Sequence, residues 1–156
     1  PKIIVGLVVV AVLGPSLTVL IVMTGTVYSG GVFRIARALA RDVVGLDYVR
    51  AATARGEGKL HIMMREILPN ILSPLAVDFA LRVSFAILFI SSLGFLGLGV
   101  QPPKADWGTL AHDNISGLSS GSLAAIWPAL AIASVTISLN YLVDTLSLAG
   151  ENGRKQ

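Results

Sequence analysis

The chain has 156 residues, of which 54% are hydrophobic and 13% charged, against about 25% charged in an ordinary soluble domain. A mean hydropathy of +0.77 excludes a water-soluble globule, and the absence of cysteine excludes disulfides and thiolate metal sites. The net charge of +3 would suit nucleic acid, but its placement excludes that: seven of the twelve basic residues (Arg34, Arg37, Arg41, Arg50, Arg55, Lys59, Arg65) lie in one interval between apolar runs, and Arg154 and Lys155 lie at the tail. Basic clusters beside membrane spans mark cytoplasmic segments.

The chain starts at Pro1 and is apolar from Ile3, with no initiator Met, charged leader or cleavage signature. It reads as a fragment that begins inside a span. Residues 3–33 are too long for one straight span and too short for two, since a spanning helix needs roughly 20 residues. Gly14-Pro15-Ser16 interrupts them with a turn signal. The expectation is a truncated span over 1–13, a tight turn, and a return span over 17–33 that ends near Ser29-Gly30-Gly31. One kinked helix is the alternative, because membrane helices tolerate Gly and Pro.

Residues 34–70 form the basic loop, expected as two or three short helices near the membrane plane. The stretch IARALARDVV has helical character up to Gly45. Asp47 is placed to cap a helix over YVRAATAR, and Gly56 to take the left-handed position after it. KLHIMMREIL then sets Leu60, Met63, Met64, Ile67 and Leu68 at helical spacing. Pro69 is expected to end that helix, because the residue before a proline is pushed out of helical conformation.

Residues 71–100 read as a third span. Asp78 and Arg82, four apart, share a helix face and neutralise one another as a structural ion pair; a gating or substrate pair is the alternative. Gln101-Pro102-Pro103 closes the span. Residues 101–122 form an outer loop with Lys104 against Asp106 and Asp113, and Trp107 and Trp127 suit the interfacial aromatic belt. A last span over 123–148 returns inward. Its Asn140 and Asp144, four apart, read as a polar pair bonded to neighbouring helices or to the loop beneath; a pair lining a pathway is the alternative. The fold class is therefore all-α, a polytopic transmembrane helical bundle with cytoplasmic coupling helices.

Nothing in the chain reads as an active site. His112-Asp113 lacks a third partner, His61 belongs to the opposite membrane face, and two histidines without cysteine give no zinc site. Gly94, Gly97 and Gly99 invert the dinucleotide fingerprint and follow no strand, so they read as close helix packing. Asn114-Ile115-Ser116 matches a glycosylation acceptor, a pattern that arises often by chance.

The basic loop carries a resemblance. Arg50-Ala51-Ala52, three residues, Gly56, nine residues, Glu66, one residue and Leu68-Pro69 fall at the spacing of the Glu-Ala-Ala signature of ABC importer inner-membrane permeases. Tyr48-Val49 before it, Ile67-Leu68-Pro69-Asn70 closing it, the run 92–103, Asp106-Trp107-Gly108, Trp127-Pro128, and Asn140 with Asp144 resemble the dipeptide/oligopeptide/nickel branch. The chain departs from that pattern where Arg50 replaces the signature glutamate and Glu66 its isoleucine. It departs again where 143–148 replaces a Gly-Asp-Gly-Leu-Arg-Asp run.

The resemblance implies a non-catalytic permease subunit of an ATP-driven importer for peptides or related solutes, in the cell inner membrane. Its implied partners are cytoplasmic ATPase subunits, a second homologous permease subunit and an extracytoplasmic substrate-binding protein. It binds no cofactor itself, ATP being held by the ATPase. The implied coupling residues are Tyr48, Val49, Arg50, Ala51, Ala52, Arg55, Gly56, Leu68 and Pro69. Small Ala51, Ala52 and Ala54 would admit close approach by a partner, and Arg50 and Arg55 would pair with acidic groups around its cleft. A loop resting on anionic lipid, a non-transporting scaffold or decayed permease, and a secondary transporter are the alternatives.

Overall fold

Every regular element among the described residues is a helix. The computed structural model describes residues 1–152, with side-chain surroundings for 1–145; Arg154 and Lys155 lie outside the described residues. The elements are α1 (Lys2–Leu13), α2 (Leu17–Val44), α3 (Asp47–Ala54), α4 (Lys59–Ile62), α5 (Leu68–Leu93), α6 (Trp107–Asn114) and α7 (Ile126–Asn152). A π-helical turn, Met63–Ile67, joins α4 to α5, and a second, Gly94–Leu98, follows α5. Leu17–Val44, Lys59–Leu98 and Ile126–Thr145 are long and apolar enough to cross a membrane, whereas α1 is a shorter apolar helix. The fold is all-α and polytopic.

Three expectations need correction. The helix begun at Leu17 does not stop at Ser29-Gly30-Gly31 but continues to Val44. Two helical glycines cost about 1 kcal/mol each, while opening backbone groups at the membrane costs several, so the helix runs on. Pro69 likewise does not end its helix. In the π turn just before it, the Leu68 N–H donates to the carbonyl of Met63, five residues back. The hydrogen-bonding register has thus changed where proline lacks a donor, and π turns and inserted side chains accommodate such defects within helices. The Glu66 carbonyl takes the Asn70 side-chain amide at 2.7 Å. Third, residues 101–122 are not plain loop but contain α6 and a 3₁₀ turn, Ile115–Ser120.

The chain divides into two compact units. The first comprises Pro1–Tyr28 and Leu81–Tyr141. Its core joins Val10 of α1, Leu20 and Met23 of α2, Phe89 and Leu93 of α5, and Val100. The Tyr28 ring meets Phe89 edge-on at 6.1 Å, and its hydroxyl donates to the carbonyl of Phe85 at 3.2 Å. In α7, Pro128 sits in the first turn, where backbone N–H groups have no helical acceptor. The second unit comprises Ser29–Ala80 with Leu142–Gln156. Its small core joins Val49, Ala52 and Ile62, with Val43 and Ile67 against it.

Candidate functional site

The motif-bearing segment folds as two short helices around a tight turn. Asp47 does not cap α3: Leu46 occupies the cap position without a side-chain bond, and Asp47 is the first helical residue. There its carboxylate still favours the positive helix end. The other end closes as the spacing foretold. Gly56 has φ +80°, a conformation costly to any residue bearing a Cβ. Its N–H donates to the Thr53 carbonyl at 3.0 Å, and Glu57 N–H donates to Ala52 at 3.2 Å. These paired bonds form a Schellman cap, which turns the chain back toward α4.

That turn lays Ile62 across Val49 and Ala52. Ala52 is 0% exposed and Val49 4%, so neither offers its side chain to a partner. This corrects the reading of Ala52 as part of a contact surface. Arg50, Ala51, Ala54, Arg55, Gly56 and Pro69 are exposed, as is the ring of Tyr48, and Leu68 is half-buried. The stretch read as helical from its spacing is helical, with a π turn at Met63–Ile67; within it Ile62 supplies the core and Ile67 packs against it, while Leu60, Met63 and Met64 stand exposed. The signal for Ile62 lay in its position opposite the capped α3, not in its own helix's periodicity.

Charge on this unit is unequally committed. Arg55 donates through both Nε and Nη2 to Glu57 Oε1, at 2.9 and 2.7 Å, and His61 Nε2 stands 3.8 Å from Glu57 Oε2. Glu57, which the motif spacing did not single out, thus organises the turn and occupies Arg55. Arg50 reaches Asp47 only at 3.9 Å, with both side chains in solvent, and remains available. Nearby, Leu39, Asp42, Val43, Leu46, Tyr48, Asn70, Ile71 and Pro74 enclose a recess of about 360 Å³.

The glycine-rich segment in the first unit is built differently. Asp106 caps α6: Oδ1 accepts the Thr109 N–H at 3.0 Å, and Oδ2 accepts the Thr109 hydroxyl at 2.7 Å and the Val100 N–H at 3.2 Å. The His112 ring lies edge-on to Phe95 at 6.2 Å, and its Nδ1 is 2.7 Å from the Phe95 carbonyl, so Nδ1 carries the proton. A Cβ at Gly94 or Gly99 would collide with Asp106 or Thr109. Gly94 and Gly99 therefore serve close packing, as read from the sequence; Gly97, read with them, instead takes a left-handed conformation at φ +80° with no close neighbour for a Cβ. Asp78 and Arg82 are both half-buried on α5; on α7 Asn140 is half-buried and Asp144 exposed.

Together these features define a helical membrane protein whose long apolar helices connect with a small, polar-faced, two-helix unit. The chain belongs to the family described as the binding-protein-dependent transport system inner membrane component, whose pattern matches residues 1–151. It is accordingly a multi-pass inner-membrane protein.

It is similar to the dipeptide transport system permease protein of Escherichia coli strain K12, 36% identical over 156 residues, covering 100% of this chain and 52% of the relative. The Haemophilus influenzae protein of the same description is 33% identical over 156 residues, covering 100% and 53%. The di/tripeptide transport system permease protein of Pseudomonas aeruginosa strain UCBPP-PA14 is 34% identical over 146 residues, covering 94% and 48%. The chain spans about half the length of these curated relatives.

Proposed function

We propose that this chain is part of the permease subunit of an ATP-driven importer for peptides or related solutes, and that α3 is its coupling helix. The observation that carries this reading is the split character of α3. Val49 and Ala52 are buried beneath Ile62, while Arg50 and Ala51 face outward at the signature spacing. A helix fastened on one face and bare on the other suits docking in a partner's cleft. The family membership and the peptide-permease relatives support the transport assignment.

The subunit is not itself catalytic. Cytoplasmic ATPase subunits bind and hydrolyse ATP, a second homologous permease subunit completes the pathway, and an extracytoplasmic binding protein delivers solute. Residues 34–70 face the cytoplasm and 101–122 face outward, with spans over 1–13, 17–33, 71–100 and 123–148. When the ATPase closes, its pull on Arg50, Ala51 and the Tyr48 ring passes through the Gly56 cap to Ile62. From there it enters the helical path Lys59–Leu98. Leu68 and Pro69 sit where that path leaves the π turn, so displacement of α3 reaches a span and drives alternating access.

Ala51→Trp in the assembled transporter tests this. The variant should keep its melting temperature but lose at least about tenfold in ATP-dependent uptake, because the new ring blocks docking at an exposed site. Uptake at the wild-type rate would remove α3 from the coupling path.

A further inference from the structure

The continuation of α2 beyond Gly31 presents a feature that the coupling segment does not absorb. Arg34, Arg37 and Arg41 are three and four residues apart on one helix, so they occupy an arc of roughly 60°. All three are exposed. No ion pair among the described residues engages them, in contrast to Arg50 with Asp47 and Arg55 with Glu57. The opposite side of α2 carries Val32, Leu39 and Val43, all partly buried. Val43 packs on the Val49–Ala52–Ile62 core, and this fixes the rotation of α2 with the arginines outward.

The position of the stripe along the helix identifies its partner. The apolar stretch 17–33 falls just short of the roughly 20 residues that cross the hydrocarbon core, so the next two turns fall in the headgroup layer. Phe33 and Val44, 65% and 50% exposed, flank the arginines on the same side. A face of arginines edged by apolar side chains suits the headgroup–acyl boundary better than an acidic protein surface. Guanidinium forks match phosphate oxygens in pairs, and the long stems let Arg34 reach outward from the core's edge.

We propose that Arg34, Arg37 and Arg41 form a ladder binding the phosphates of anionic phospholipids in the cytoplasmic leaflet. The ladder rests on the sidedness proposed above and holds the base of α2 at a fixed depth beside the coupling unit. It goes beyond orienting the chain by charge, because it specifies one helix face and a ligand chemistry.

The test places the full chain in nanodiscs of phosphatidylcholine and phosphatidylglycerol, extracts it into mild detergent, and counts the lipid retained. Wild type should enrich phosphatidylglycerol at 50 mM salt and lose that enrichment at 500 mM. Each single change, Arg34→Gln, Arg37→Gln or Arg41→Gln, should weaken retention about fivefold, the value of one basic residue at an anionic surface. Two arginines remain in each variant to keep insertion intact. Arg50→Gln should retain lipid like wild type. Equal retention of the two lipids by wild type, or unchanged retention in all three variants, overturns the proposal. So does loss of ATPase subunits on pull-down with lipid retention unchanged, which would make the stripe a protein contact. Coupling is read by uptake and the ladder by lipid retention, so either proposal can fail alone.

Discussion

The α3–α4 unit and the segment that seats α6 both turn the chain sharply, and they are fastened in opposite ways. At α6 a carboxylate takes three donors, a histidine donates to the Phe95 carbonyl, and glycines clear the space. The polar groups there are spent on one another. At α3 the fastening is three apolar side chains, a backbone cap and the Arg55–Glu57 pair over the turn, and Arg50 points away from it into solvent. Charge-assisted bonds hold geometry tightly but leave nothing over for a partner. A small apolar clasp holds less firmly and leaves a helix face uncommitted. The first arrangement is suited to a fixed feature, the second to one that is gripped and moved.

Removing the Asp106 carboxylate should break this contrast most severely. Asp106→Ala strips the α6 cap and orphans the Val100 and Thr109 amides, at a combined cost of about 3 kcal/mol. A clear fall in detergent melting temperature is the expected outcome, with early hydrogen exchange at 99–112. An unchanged melting temperature would show that the seat of α6 is held by apolar packing instead. Next in size is Ala52→Leu, which overfills the Val49–Ile62 clasp. Overpacking of this kind costs roughly 1–3 kcal/mol, and here it should appear as local exchange over 47–62 while the exchange of 99–112 stays slow. Loss of uptake in this variant would reflect damage to the clasp, since Ala52 is fully buried.

How much of this was legible in the residues follows from the range of the interactions. The hydrophobic runs, the turn at Gly14-Pro15-Ser16, the left-handed Gly56 and the packing role of Gly94 and Gly99 are local or compositional signals, and reading along the chain finds them. The segment proposed for coupling stands out by its spacing, but spacing does not say which alanine faces inward. Ala51 and Ala52 differ only in which one Ile62 covers, and that depends on the chain returning through Gly56–Gly58. The continuity of α2 through Ser29-Gly30-Gly31, and of the helix through Pro69, has no local signal, because the cost of opening a helix at the membrane outweighs the breaker residues that mark those positions. Asp106 was visible as part of a motif, yet its three donors come from Val100 and Thr109, on both sides of it.

Arg50 gives the smallest effect on stability and the sharpest reading of the comparison. Its contact with Asp47 at 3.9 Å is fully solvated, and exposed pairs of this length contribute little to folding. Arg50→Ala should therefore leave the melting temperature and the exchange of 47–62 unchanged. If the free face of α3 is the docking face, ATP-dependent uptake should nonetheless fall severalfold, and the fall should deepen as salt is lowered, because a wild-type charge pair with a partner is strongest there. A salt-independent loss would assign the contribution of Arg50 to its aliphatic stem rather than its charge. A matched change at Arg55 makes the control: that guanidinium is already held by Glu57 at 2.7 Å, so Arg55→Ala should disturb the cap more and the salt dependence less. Reversal of that order would mean that Glu57 releases Arg55 to the partner on docking, and that the committed and uncommitted charges of this unit exchange roles.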